Sequence, residues 1–311
     1  MYEGRRVAAV VPAYNESAHI SDVIMRMPDY VDLIIVVDDA STDATAKKAE
    51  DFGDPRVQVI RHTTQRGVGG ATLSGMRSAL GRAADLIVKV DGDGQMDPAR
   101  ISELLDPLVR DGYDYAKGNR FLHSAALRQM PTSRLFGNFA LTFLTKLASG
   151  YWHIFDPQNG FIAITSDALR TVDLDSIAQG FFFENDMLIH LNVFHRRVKD
   201  VPMPAHYADE ESHLRVNRIL LTFPFSLLRG FRKRIWEKYM LRDFSPIAVF
   251  WLVGVPLMLF GGTVGLLVWG NSLWSGRPAS TGTVMLGILP FLIGFELILQ
   301  AIILEIRESP R

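Results

Sequence analysis

Residues 86–95 read LIVKVDGDGQ, an apolar run that ends in two carboxylates two positions apart. The apolar part is typical of a buried strand in a parallel sheet. Asp91 and Asp93 follow it, and alternate side chains of an extended chain point to the same side. Gly92 and Gly94 let the backbone bend and leave room for a ligand. Such a pair of hard oxygen ligands suits Mg²⁺ or Mn²⁺ held together with a substrate diphosphate. The alternative is a solvated turn.

Three further apolar runs precede this one, at residues 7–12, 33–37 and 57–60. Strands that alternate with helices at this spacing predict an α/β domain, Rossmann-like, with a mostly parallel sheet and helices on both faces. Ligands of such sheets bind at the carboxyl ends of the strands. Polar residues follow those ends: Asn15, Glu16, Asp38, Asp39, Arg66, Asp91 and Asp93.

A glycine-rich loop at residues 67–70 follows the third strand and opens a helix. It suits either a phosphate contact or a tight turn against the sheet. The loop is neither Gly-x-Gly-x-x-Gly nor a P-loop, so a dinucleotide-binding fold is disfavoured.

The chain of 311 residues has room for one large domain plus an appendage. Its net charge of −1 provides no basic field, and we expect no nucleic-acid partner. The chain has no cysteine, which excludes disulfides and thiolate chemistry. Arg5 and Arg6 precede only a short apolar stretch, so we expect no signal peptide and a cytoplasmic catalytic portion.

The C-terminal third changes character. Residues 213–243 are amphipathic and basic, which is typical of helices in a membrane interface; the alternative is a core-packing helix with a solvated basic side. Residues 246–269 and 283–306 are each apolar over a length that spans a bilayer. The positive-inside rule then predicts a multi-pass protein of the cell (inner) membrane with both termini cytoplasmic. We expect three parts, at residues 1–212, 213–243 and 244–311.

Three residues within the predicted spans indicate helix–helix contacts. Gly261 and Gly265 form a small-xxx-small pair, and Glu296 places a carboxyl near mid-membrane, where it usually faces protein. On these residues we base an expected homo-oligomer.

Four motifs carry a family resemblance: VPAYNE at residues 11–16, VDDASTD at 37–43, DGDGQMDP at 91–98 and GNRF at 118–121. Together they resemble family 2 glycosyltransferases of the GT-A fold, and more narrowly the dolichyl- and polyprenyl-phosphate sugar synthases. The resemblance covers about residues 5–215. The two C-terminal spans match the subgroup that carries two such helices.

The resemblance implies three groups of site residues. The nucleotide-sugar pocket is expected to be lined by Pro12, Tyr14, Glu16 and Asp39, with Asp39 near the base or ribose. Asp91, Asp93 and Gln95 would hold Mg²⁺ or Mn²⁺ and the sugar diphosphate. The acceptor phosphate is expected on Arg120, Arg134 and Asn138. Arg215 resembles a mobile loop that closes on the diphosphate, although the Ser-Lys pattern of that loop is missing here.

The expected catalytic set is Asp93, Arg120, Arg134 and Asp156. Asp156 and Asp186 are candidates for sugar-hydroxyl contacts or for a base; their alternatives are a turn residue and a helix cap. We interpret His62, His190 and His206 as surface or packing residues.

The resemblance implies transfer of a hexose from a GDP-mannose or UDP-glucose type donor to dolichyl or undecaprenyl phosphate, and direct displacement at the anomeric carbon predicts inversion to a β-linked product. The acceptor phosphate is already anionic, so no strong base is required. One alternative is a family 2 transferase acting on a hydroxyl in polysaccharide or glycolipid synthesis, and another is a non-catalytic membrane scaffold. A family 2 transferase that makes polysaccharide usually has a Gln-x-x-Arg-Trp stretch, which the chain lacks.

Overall fold

A computed structural model of the protein describes residues 1–120, 132–203 and 216–310, the side chains of 132–140 and 216–221 excepted. The chain forms two compact units. The first comprises Met1–Phe231 with the last two residues, and the second comprises Arg232–Ser309.

A single sheet organises the first unit, and within the described residues it has seven strands in the order β3-β2-β1-β4-β6-β5-β7. The strands are β1 Val7–Ala13, β2 Leu33–Asp38, β3 Val57–Arg61, β4 Leu86–Lys89, β5 Tyr115–Asn119, β6 Ile162–Thr165 and β7 Val198–Pro202. The pairings are parallel except that β6 runs antiparallel to both β4 and β5. The predicted mostly parallel α/β fold is therefore confirmed, and β7 lies at one edge of the sheet.

Seven helices accompany the sheet in the described part of this unit. They are α1 Ile20–Met25, α2 Thr45–Glu50, α3 Gly67–Gly81, α4 Ile101–Arg110, α5 Thr132–Ser149, α6 Ser166–Thr171 and α7 Phe183–Val193. A further helix is α8 Val216–Arg234.

Alternate residues of the strands build a core on each face of the sheet, because successive side chains point to opposite sides. On one face Ala8 and Val10 pack with α3 and α7, and on the other Val7 and Ala9 pack with α1 and α4. Gly75 of α3 permits the closest approach, since a Cβ there would lie 2.3 Å from a methyl carbon of Val10. Gly75 therefore lets α3 pack closely against β1.

The second unit consists mainly of α9 Pro246–Ser275 and α10 Thr281–Glu308, preceded by a π-helical segment Ile235–Arg242. Both helices are long and apolar enough to cross a membrane by length and composition. Only 22% of the most apolar 18-residue segment of α9 and 17% of that of α10 are buried. The core helices of a soluble protein are mostly buried.

Glycines set the contact between α9 and α10. A Cβ on Gly261 would lie 2.3 Å from the backbone nitrogen of Phe291, and a Cβ on Gly287 would lie 3.0 Å from Cα of Gly265. Gly261 and Gly265 therefore contact a helix of their own chain. Glu296 instead lies exposed on α10, where it accepts a hydrogen bond from Gln300 at 2.8 Å.

A buried ion pair, which the sequence pattern did not predict, stabilises the start of the second unit. Nη2 of Arg234 lies 2.9 Å from Oε2 of Glu305, and both side chains are fully buried. Trp251 donates from Nε1 to the other oxygen of Glu305 at 3.2 Å. The basic face of the amphipathic stretch is therefore partly internal rather than fully solvated.

Candidate active site

A cleft of about 610 Å³ opens at the carboxyl ends of β1, β2, β4 and β5. Parallel strands direct their following loops to this edge, which is where ligands of such sheets bind. Seven of the residues predicted from the sequence line it: Pro12, Tyr14, Glu16, Asp39, Asp91, Asp93 and Arg120. The structure thus brings six predicted donor-side residues and one predicted acceptor residue into one space, whereas Gln95 does not line the cleft.

Asp39 lies at the β2 side of this cleft and is held by three donors. Its Oδ1 accepts from Nδ1 of His62 at 2.7 Å and from the backbone N–H of Arg66 at 2.9 Å. Its Oδ2 accepts from the backbone N–H of Gly67 at 2.7 Å. His62, which we interpreted as a packing residue, is therefore a direct partner of a predicted nucleotide-binding residue. Its place immediately after β3, at the same edge of the sheet, was the signal for this role.

A buried lysine links two carboxylates in the centre of the cleft. Nζ of Lys89 lies 2.6 Å from Oδ1 of Asp91 and 3.6 Å from Oε1 of Glu184. It also donates to the carbonyl of Gly160 at 3.3 Å. Gly160 leaves room for the ammonium, because a Cβ there would lie 2.4 Å from Nζ. Sequence reasoning missed both Lys89 and Glu184; the signal was a lysine within an otherwise apolar strand.

The surroundings of this cluster shift the pKa values of both Lys89 and Glu184. Burial raises the pKa of Glu184, and the nearby positive charge of Lys89 only partly offsets that effect. Burial alone would lower the pKa of Lys89, but the charges of Asp91 and Glu184 outweigh it, so the pKa of the ammonium is raised. The lysine therefore acts as a fixed positive charge against the carboxylates.

The carboxylate pair fits a divalent cation that is shared with a substrate. Asp91 and Asp93 both line the open cleft, and Oδ1 of Asp93 accepts from the backbone N–H of Gln95 at 3.0 Å. The side chain of Gln95 is exposed beside them. Among the described residues no three His, Asp or Glu side chains form a closed metal site. Two hard oxygen donors with an open side are what Mg²⁺ accepts when diphosphate oxygens and water complete its shell.

Arg120 and Asp156, both in the expected catalytic set, are paired with each other. Nε and Nη2 of Arg120 donate to the two oxygens of Asp156, each at 2.8 Å. Burial disfavours the charged carboxyl, but the hydrogen bonds from Arg120 and the charges of Arg120 and Lys117 outweigh burial, and the pKa of Asp156 is lowered. A carboxylate held ionised in this way orients the guanidinium better than it would accept a proton.

A buried lysine, Lys117, holds the loop that carries Asp156. Asp156 has a φ of +49°, in the left-handed region. Nζ of Lys117 is fully buried, donates to the carbonyls of Asp156 and Phe155, and lies 3.6 Å from Oδ1 of Asp200. Asn119 donates to Asp200 at 2.7 Å. These contacts set the direction in which Asp156 holds Arg120.

The remaining candidates are less well placed. Arg134 and Asn138 lie on α5, in the part whose side chains are outside the described residues, and Arg215 and His206 lie outside the described residues altogether. Oδ2 of Asp186 accepts from the backbone N–H of Ala178 at 2.8 Å, a structural contact at the start of α7.

This mostly parallel sheet, with an acidic pair at the end of a central strand, has the GT-A type of fold. Residues 8–173 match the model of glycosyl transferase family 2. The chain belongs to that family, and within it resembles the polyprenyl-phosphate sugar synthases.

The names of two similar proteins include a lipid phosphate. The UDP-N-acetylglucosamine–dolichyl-phosphate N-acetylglucosaminyltransferase of Methanococcus voltae is 30% identical over 69% of this chain and 90% of its own length. The undecaprenyl-phosphate mannosyltransferase of Micrococcus luteus is 34% identical over 64% of this chain and 82% of its own.

One relative matches a larger share of this chain, and a solved structure has a similar fold. The dolichol-phosphate mannosyltransferase of Pyrococcus furiosus is 28% identical over 86% of this chain and 72% of its own length. A crystal structure of glucosyl-3-phosphoglycerate synthase from Mycobacterium tuberculosis, with Mn²⁺, UDP-glucose and phosphoglyceric acid, aligns with a TM-score of 0.54. It covers 74% of this chain and 80% of the synthase at 22% identity, and so bears on the fold alone.

Proposed function

We propose that the protein transfers a hexose from a nucleoside-diphosphate sugar to a polyprenyl phosphate, with inversion, to give a β-linked lipid-phosphate sugar. The observation that carries the proposal is the pairing, in one cleft, of the Asp91–Asp93 carboxylates with an Arg120 guanidinium oriented by Asp156. The first group suits a donor diphosphate and the second suits another phosphate. The names of the similar proteins support a lipid phosphate as acceptor.

The chemistry follows from charge. The acceptor phosphate is an anionic nucleophile at neutral pH, so Arg120 orients it rather than activates it. Arg134 and Asn138 are proposed to assist there, and Arg215 to contact the leaving diphosphate. When bound by Asp91 and Asp93, Mg²⁺ or Mn²⁺ would neutralise the charge of that diphosphate. Direct displacement at the anomeric carbon inverts an α-linked donor.

The second unit is proposed to anchor the chain in a bilayer. We take α9 and α10 as membrane spans, the preceding amphipathic stretch 213–243 as interfacial, residues 1–212 as the catalytic domain, and both termini as cytoplasmic. The exposed apolar surface of both helices supports this placement. A phosphate on a long polyprenol would then be presented at the bilayer surface.

A homo-oligomer is proposed from one polar pair within the spans. Glu296 and Gln300 are exposed on α10, and an uncovered carboxyl is costly in lipid. Because the chain has no cysteine, single cysteines report contacts cleanly. Oxidative cross-linking in membranes should join Ile293→Cys, on the face of Glu296, but not Leu266→Cys on an exposed part of α9. Equal cross-linking of both variants contradicts the proposal.

A hydroxyl acceptor is the second candidate, because Glu184 lines the same cleft and its raised pKa is typical of a general base. The Glu184→Gln variant separates the two. Transfer to a phosphate acceptor should not need a base at this position, whereas transfer to a hydroxyl should fall by about 10²–10⁴-fold.

The proposed function is tested with the purified full chain, radiolabelled nucleotide sugars, Mn²⁺ or Mg²⁺ and polyprenyl phosphate, followed by organic extraction. Label should enter the lipid phase with at least one donor. Asp93→Ala should abolish it, whereas Asp97→Ala, in the same loop, should retain it, because it loses a cap of the following turn and a partly exposed ion pair with Arg26. Arg134→Ala should raise KM for the lipid phosphate more than for the donor. Absence of label with every common donor contradicts the proposal.

A further inference from the structure

Lys89 holds one of the two oxygens of Asp91 that a divalent cation could use. Nζ of Lys89 lies 2.6 Å from Oδ1 of Asp91, and the lysine side chain is 1% exposed. The side chain of Asp91 is 25% exposed and lines the cleft. A carboxylate oxygen in direct contact with an ammonium is a poor ligand for a second cation, because the two positive charges repel each other. Asp91 therefore offers mainly Oδ2 to a cation.

The ammonium is held in this position by the sheet and by its other contacts. Lys89 lies on β4, which pairs with β1 on one side and with β6 on the other. Its Nζ also donates to the carbonyl of Gly160 at 3.3 Å and lies 3.6 Å from Oε1 of Glu184. Separation of a buried charge from its partners is strongly disfavoured. Lys89 is therefore a resident positive charge beside Asp91.

This charge changes what the carboxylate pair can bind alone. Asp91 and Asp93 each carry a negative charge, and the ammonium lies directly against the first of them. Glu184 shares the same ammonium only at the longer distance of 3.6 Å. The diphosphate of a donor would supply both further negative charge and further hard oxygen ligands. The pair should therefore bind a divalent cation weakly alone and well together with a diphosphate.

We propose that Lys89 is a positioning residue that makes cation binding depend on the donor, because it keeps Oδ1 of Asp91 from the cation. This inference rests on the proposed function, since it concerns the donor end of the same cleft. Removal of the ammonium leaves both oxygens of Asp91 open. The site then binds the cation without the nucleotide.

The test is a titration of the purified full chain with Mn²⁺, in which free Mn²⁺ is followed by electron paramagnetic resonance. It is done without nucleotide and with UDP or GDP, corrected for the Mn²⁺ that the nucleotide holds in solution. In the wild type, one of the nucleotides should tighten Mn²⁺ binding at least about tenfold. Lys89→Met should bind Mn²⁺ alone at least about tenfold more tightly than the wild type, so that the nucleotide adds less than about threefold.

The outcomes separate this inference from the proposed function. Equal affinity of folded Lys89→Met and of the wild type for Mn²⁺ alone overturns the inference and leaves the proposed transferase function standing. Failure of both nucleotides to change Mn²⁺ binding in the wild type overturns the inference and contradicts the proposed function as well.

Three further variants distinguish this role from a structural one. Lys89→Met combined with Asp91→Asn should lose the gain in Mn²⁺ affinity, because the gain comes through Asp91. Lys117→Met removes a fully buried lysine of β5 that does not line the cleft, and should leave the affinity unchanged. If Lys89→Met alone does not fold, its combination with Glu184→Gln removes buried charges of both signs and should show the same gain. A gain that persists with Asp91→Asn, an equal gain in Lys117→Met, or no gain in the combination with Glu184→Gln overturns the role.

Discussion

Replacing Asp156 by asparagine distinguishes a residue that orients Arg120 from one that accepts a proton. The two residues share a bidentate ion pair with both distances at 2.8 Å. Asparagine is close in shape and tolerates the left-handed backbone at φ +49°. The substitution therefore removes the charge and turns one acceptor atom into a donor that faces the guanidinium.

The magnitude follows from the lost contacts. Hydrogen bonds to a charged group contribute about 1.5–3 kcal/mol; Asp156 is 3% exposed but Arg120 is 39% exposed, so water screens part of that contribution. In a reaction that depends on positioning, displacement of this guanidinium by about an ångström costs up to about 10²-fold. We expect kcat/KM for the lipid phosphate to fall between about 10- and 100-fold, mostly through KM.

The assay is initial-rate transfer with the donor saturating and the polyprenyl phosphate varied, beside a separate measurement of nucleotide binding. Nucleotide binding should change less than about twofold. The control is Asp54→Asn, because Asp54 holds Arg56 in a similar two-pronged ion pair that does not line the cleft. A loss of kcat at saturating acceptor, without a change in KM, would refute orientation and restore Asp156 as a candidate base.

Two further predictions concern the second unit. Gly261→Ala should lower the thermal stability of the α9–α10 hairpin in detergent, because its Cβ meets the backbone of Phe291, whereas Gly265→Ala, whose Cβ meets open space, should not; equal melting temperatures would contradict this packing. Burial first, and then the charge of Arg234, lower the pKa of Lys238 to about 8. Unfolding restores its ordinary value, so the unfolded chain binds more protons between about pH 8 and 10.5, and stability should rise through that range by an amount on the order of 3 kcal/mol. The Lys238→Met variant should lack this rise of stability with pH. If its melting temperature rises with pH as much as that of the wild type, the prediction is wrong.

The sequence predicts the order of the strands along the chain and the edge at which the site lies, because apolar runs and the polar residues after them are local signals. It does not predict the direction of β6. Ile162–Thr165 is short and largely buried, and burial on both faces looks the same for either direction. The antiparallel pairing places Gly160 beside Lys89 and so contributes to the cleft.

Partners that are distant in the chain escape a reading of local pattern. Lys89 and Glu184 are 95 positions apart, and only the packing of α7 against the sheet brings them together. His62 and Asp39 meet because β3 pairs with β2. In the second unit Arg234 belongs to a basic stretch and Glu305 to an apolar one, and neither pattern reveals that they form a buried pair. Periodicity reports which face of an element is apolar, not which charge lies opposite.

The central claim is that the acceptor is a lipid phosphate. The most direct measurement offers the full chain a labelled nucleotide sugar together with either a polyprenyl phosphate or the polyprenol of the same length, and follows label in the organic phase. We predict a labelled product with the phosphate, formed equally well by Glu184→Gln, and none with the alcohol. A labelled product from the polyprenol and none from its phosphate would contradict the account.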